Sequence, residues 1–137
     1  HKQQVLLRNL KGELLEVPIF FAGSIERTSF TEMHEPKGFM TIRIHLKQRG
    51  SVPDITWAFH ELPVRPMVHL KIPLYDLNDH SLRAWLENKL ARLPTNSVVK
   101  LLVDGKADAI QTRLLNAQDL RALAPRNMIL QVPKFRV

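Results

Sequence analysis

The period of the apolar positions changes along the chain. Residues 13–22, Glu-Leu-Leu-Glu-Val-Pro-Ile-Phe-Phe-Ala, end in a wholly apolar run, which predicts a short strand buried on both faces and broken by Gly23-Ser24. From Gly38 the order Phe39, Met40, Thr41, Ile42, Arg43, Ile44, His45, Leu46 alternates apolar with polar, the mark of a strand with one wet face. Residues 55–62 form the next strand, and the polar, glycine-containing stretch between them predicts a hairpin. Pro63 and Pro66 then hold Val64-Arg65 extended, because each ring fixes its own φ and restrains the residue before it. A domain boundary is expected here, dividing residues 1–62 from 63–137.

Past the boundary, Met67, His69 and Lys71 alternate with Val68, Leu70 and Ile72, and the second set is the expected core face. Leu82, Trp85, Leu86, Lys89, Leu90 and Leu93 recur at three- and four-residue intervals, which predicts a helix capped by Asp79 or Ser81 and stopped by Pro94. Lys89 snorkels at the edge of that stripe. Residues 98–103 are a strand ending at Asp104-Gly105; Asn116-Ala-Gln-Asp119 opens a short helix through Leu123, Pro125 closes it, and residues 128–132 are a last strand. The fold class is α+β, a strand-rich first part followed by a small β-α-β-α-β unit.

Composition narrows the function classes. A chain of 137 residues holds one ordinary domain, or part of a domain plus a small one. No apolar run approaches the ~20 residues that span a bilayer, and residues 1–7 lack the basic start and apolar stretch of a signal peptide. Without cysteine there is no disulfide framework and no thiolate metal site, which fits a reducing, cytoplasmic setting. The formal charge of +7 makes a polyanionic partner worth testing. Residues 67–137 carry 11 Lys+Arg against 6 Asp+Glu, and residues 1–47 carry 7 against 5, so the excess leans C-terminal.

Two local patterns make the picture more specific. Phe21-Ala-Gly-Ser-Ile-Glu-Arg-Thr-Ser-Phe-Thr-Glu, followed by Glu35-Pro-Lys-Gly-Phe39, resembles the series that closes the calcineurin-like phosphoesterase domain of the SbcD family of double-strand-break repair nucleases. Family members often have Pro before this Gly-Ser, where this chain has Ala22. Val64-Arg-Pro66 and the strand, helix, strand, helix, strand order after it look like that family's DNA-capping domain.

The resemblance implies a chain made of the C-terminal strands of a phosphoesterase sandwich and a cap, and a parent enzyme that is a manganese-dependent exonuclease and endonuclease. His1-Lys-Gln-Gln looks like the tail of the family's Gly-His-x-His motif, which would make His1 the last imidazole ligand of a two-metal centre, with the other ligands upstream. Two divalent ions about 4 Å apart activate a water and stabilise the entering and leaving oxygens of a phosphodiester, and imidazole with carboxylate ligands suits manganese. One histidine cannot do this, so residues 1–137 alone should be catalytically silent. The family's partners are DNA and an SbcC-like coiled-coil ATPase; the resemblance implies that its dimerising and ATPase-binding segments are missing from this sequence.

On the loop after the buried strand, Arg27 is a candidate for the DNA backbone, with Ser24 and Glu26 beside it. In the cap, Arg65, Arg83, Lys89, Arg92 and Lys100 are the candidate phosphate contacts, with Lys71, Lys106 and Arg113 as further cations. His34, His45, His60, His69 and His80 have no metal-ligand spacing, and Trp85 belongs to the helix's apolar stripe. No Gly-rich phosphate loop, Ser-His-Asp arrangement or Cys/His finger is present. Two other readings stand beside the nuclease: a non-catalytic basic module that binds nucleic acid or protein, and a phosphoesterase acting on small nucleotides or phosphoproteins.

Overall fold

The computed structural model describes residues 2–133, so His1 and its expected role as a metal ligand lie outside the described residues. The chain divides into two compact units, His1–Val64 and Arg65–Val137, and the division falls between the two prolines that bracket Val64-Arg65.

The first unit consists of two antiparallel hairpins. Strand β1 (Gln4–Arg8) pairs with β2 (Leu14–Phe21) through a turn organised by Asn9, whose Oδ1 accepts the Lys11 and Glu13 amides. The register runs from Gln4↔Phe21 to Leu6↔Ile19, then slips before Arg8↔Leu14. Pro18 sits inside the slipped stretch and has no amide to donate, which is where a ladder breaks at least cost.

Strand β2 departs from the sequence expectation. It is not buried on both faces: Val17, Ile19 and Phe21 are each about half exposed, because no described layer covers them.

The second hairpin joins β3 (Gly38–His45) to β4 (Asp54–Glu61) in unbroken register from Gly38↔Glu61 to His45↔Asp54. Side chains alternate across the sheet, so Met40↔Phe59, Ile42↔Trp57 and Ile44↔Ile55 form an apolar ladder on one face. Trp57 also meets the ring of Phe20 edge-on, at 5.4 Å between centroids. Yet Ile42, Ile44 and Trp57 remain 43%, 58% and 40% exposed. The buried residues described in this unit are Glu32, Lys37 and Gly38, none of them apolar in its side chain.

The second unit has the opposite character. Its three-stranded parallel sheet, in the order β5 (Met67–Pro73), β6 (Val98–Asp104), β7 (Ile129–Gln131), is covered on one face by α1 (Asp79–Ala91), α2 (Ala109–Leu114) and α3 (Ala117–Leu123). Ile72, Val99, Leu101 and Leu130 of the strands bury against Leu82, Leu86 and Leu90 of α1 and against Leu115 and Leu120. The three- and four-residue spacing of the α1 leucines is what gathers them on one side of the helix.

The cap of α1 is Asn78: its side chain accepts the Ser81 amide while the Ser81 hydroxyl accepts the Asn78 amide, a reciprocal box one residue earlier than expected. A similar box of Asp108 and Gln111 opens α2, a helix absent from the sequence reading because its six residues carry no apolar stripe. Among the described residues no helix is long and apolar enough to cross a membrane. Leu86 is 1% exposed. Leu86→Ala should lower the unfolding free energy of the second unit by about 2–5 kcal/mol, measurable by urea denaturation followed through Trp85 fluorescence.

Candidate functional site

The Gly-Ser-Ile-Glu-Arg to Lys-Gly-Phe block folds around one buried ammonium group. Lys37 is 2% exposed, and its Nζ donates to Ser24 Oγ at 2.9 Å and Glu35 Oε2 at 3.0 Å, with Glu32 Oε1 at 3.5 Å. A buried charge is tolerable when it is paired and its donors are used, and three acceptors meet the three protons. Ser29 starts the short 3-10 turn Phe30–Glu32 by accepting the Thr31 amide, which swings Glu32 back over the loop. There its Oε2 accepts the Thr28 amide at 3.0 Å and the Thr28 hydroxyl at 3.3 Å. The chain then enters β3 through Gly38, where a Cβ would run into the carbonyl of His60. Each of Ser24, Glu32, Glu35, Lys37 and Gly38 therefore has a packing reason to be what it is.

The Thr28 amide is the largest influence on Glu32 and holds its carboxyl below the ordinary value of 4.5; burial opposes it, and the charge and hydrogen bond of Lys37 reinforce it. Because the folded value lies below the unfolded one, the stability this carboxylate supplies is full above about 4.5 and disappears as pH falls through the folded value.

The candidate DNA-facing cations are not brought together. Arg27 donates from Nε and Nη2 to the Glu35 carbonyl at 3.1 and 3.0 Å, so its guanidinium fastens the loop from within. Arg65 clasps two turns of the second unit, giving Nε to Asn96 O and Nη2 to Asn96 Oδ1 and Asn127 O. On α1, the nine positions from Arg83 to Arg92 at about 100° each set these two roughly opposite one another around the helix axis, whereas Lys89 stands about 60° from Arg92. Lys89 also rests over the Trp85 ring, 5.6 Å from its centroid, and Arg83 makes an exposed pair with Glu87. Lys100 lies between buried Val99 and Leu101 on β6 and so belongs to the sheet face away from the helices. The cations thus occupy at least three separate surfaces: the Lys89/Arg92 flank pairs two of them, and the sheet face away from the helices carries Lys100 with Lys71 beside it.

Among the described residues no group of three or more His, Asp or Glu side chains could hold a metal ion, so these residues do not by themselves fit the two-metal centre. His60 is taken up by a 2.9 Å contact with Thr41 and by stacking on Phe39. What sequence reasoning missed was Lys37 as the centre of the loop; its signal was a lysine wedged between Pro36 and a glycine, with two glutamates within five residues. Comparison of the sequence with protein-family models and with curated proteins gives no match.

Protection of the Thr28 amide from hydrogen exchange should fall as pH drops below 4.5, with Glu32→Gln removing that pH dependence while keeping an acceptor for the amide. Lys37→Met should open the loop outright, whereas Lys47→Met, which removes a half-exposed pair with Asp54, should cost under about 1 kcal/mol. A Thr28 amide equally protected in wild type and Lys37→Met would contradict the assignment.

Proposed function

We propose that this chain is the C-terminal part of a metal-dependent DNA nuclease resembling the SbcD family. Its first unit would supply outer strands of a larger phosphoesterase sandwich, and its second unit would be a basic cap that positions duplex DNA. The observation that carries the proposal is the coincidence of two residue sets. Of the residues on which the resemblance rests, Ser24, Glu32, Glu35 and Lys37 also build the polar centre of the first unit, and Gly38 leads from it into β3. An apolar ladder left uncovered beside that centre is what outer strands of a larger sandwich would present.

The catalytic ions, for which manganese remains the expected identity, would rest on residues other than those described, and no step of the reaction is assigned to residues 2–133. What these residues contribute in this reading is position: the Lys37 cluster sets the path of the loop, and cap cations neutralise phosphates. The ATPase partner, the homodimer and a cytoplasmic location belong to the same proposal.

One observation favours a second reading, that of a non-catalytic basic binding module: the second unit has a complete apolar core and could serve as a freestanding platform.

In the nuclease reading, Lys89→Glu with Arg92→Glu in the full-length protein should lower kcat/KM on linear duplex DNA with manganese. The slope of log affinity against log salt should flatten by up to about two units. Hydrolysis of bis(p-nitrophenyl) phosphate, which never reaches a cap, should be unchanged. Equal loss on both substrates would remove the cap from the DNA path, and no manganese-dependent cleavage by the wild type would leave the binding-module reading.

A further inference from the structure

The three helices that cover the sheet of the second unit leave a small opening where they meet. Between α1 and the pair α2 and α3 lies a cavity of about 60 Å³. Its floor is Leu82 and Leu86, each 1% exposed, and half-buried Leu114 and Leu123 form its walls. The gap has a simple origin: the exposed α3 residue beside it is Ala122, which offers only a methyl group where a longer side chain would fill the space. Leucines that line a void lack partner atoms on one side, so an apolar group entering from outside supplies contacts that the chain itself does not.

The size and the rim say what enters. Sites for cofactors and drug-sized molecules run to ~300–1,000 Å³, so this cavity has room for one aliphatic side chain and no more. Its mouth carries both signs of charge, with Arg83 on the α1 side and Asp119 on the α3 side. Among the described residues Arg83 uses only its Nε, on Glu87 Oε1 at 3.2 Å, and both partners of that pair are more than half exposed. Such pairs contribute little and exchange readily for a better-placed carboxylate. Asp119 accepts Asn116 Nδ2 on Oδ2 at 2.6 Å, which fixes the carboxylate and leaves Oδ1 unused among the described residues.

A phosphate backbone is ill-matched to this mouth, because Asp119 repels it, and a long acyl chain exceeds the volume. A helix matches both features. Its residues at i−4 and i+4 lie about 6 Å to either side of residue i on the same face, so an apolar residue can enter the cavity while an acidic and a basic one reach opposite rims. Within a helix, carboxylates are favoured toward the N-terminus and ammonium groups toward the C-terminus. We propose that the cavity receives a leucine from an amphipathic helix of a partner protein, with an acidic residue one turn before it meeting Arg83 and a basic residue one turn after it meeting Asp119.

The test uses the 137-residue chain, isotope-labelled at leucine methyls, and an alanine-based helical peptide carrying one leucine, a glutamate four residues before it and a lysine four residues after it. The peptide should shift the Leu82, Leu86, Leu114 and Leu123 methyl resonances, and replacing its leucine by alanine should weaken binding roughly tenfold. Ala122→Met fills the cavity from this chain's own side, so it should abolish the shifts while leaving the urea midpoint no lower than in wild type. Arg83→Glu should weaken the same peptide and bind a version with lysine in place of the glutamate, a rescue that a merely structural role for Arg83 would not give. The proposal is overturned if the peptide leaves those methyls unmoved, if its alanine version binds as well, if Ala122→Met binds like wild type, or if the charge-reversed peptide fails to restore binding to Arg83→Glu.

Discussion

Everything in the first unit turns on a charged centre where an apolar one is usual. Lys37, with Glu32 and Ser24 around it, is what this unit buries, while Ile42, Ile44 and Trp57 lie open to solvent. Ion pairs taken out of water contribute little net stability, because desolvation consumes most of the attraction; what they fix is geometry. The cluster therefore holds residues 24–37 on one path but cannot replace a hydrophobic core. In the proposed nuclease, further strands over the apolar ladder would supply that stability, since two-stranded hairpins are marginal in water.

The second unit needs no such help. Its leucines and valines close over one face of a parallel sheet, and its polar interior is fully used: Gln111 reaches the Leu77 carbonyl, and the Ser97 hydroxyl donates to Pro94 O. A rigid platform of this kind can present charges without moving. The platform distributes them, however, with Arg65 spent on holding two turns, Arg83, Lys89 and Arg92 on the flanks of α1, and Lys100 on the far face of the sheet.

The fold was legible where periodicity is strong. Strands β3 and β5 and helix α1 follow directly from alternation and from the leucine spacing, β6 from its β-branched and leucine run, and Asn116 is the cap of α3 as its side chain requires. Less could be read where the outcome depends on distant groups. Strand β1 carries no alternation long enough to stand out, α2 depends on a local cap box, and the apolar run of β2 implied a covering layer that the described residues do not provide. The cations show the same limit: Arg27 reads as a candidate for the DNA backbone until Glu35 is seen to offer it a carbonyl, and Arg83 and Arg92 read together as phosphate contacts until the turn of the helix sets them on opposite sides. Composition gives the number of charges, and only three-dimensional packing decides which of them remain available.

The two units differ in kind: the second closes an apolar core, and the first leaves its apolar ladder exposed among the described residues. Residue-resolved hydrogen exchange on the 137-residue chain tests this most directly, by comparing the amides of Gly38–His45 and Asp54–Glu61 with those of Met67–Pro73 and Val98–Asp104. The hairpin amides should exchange through low-energy openings while the parallel strands are protected to the level of global unfolding. Equal protection in both units would contradict the account.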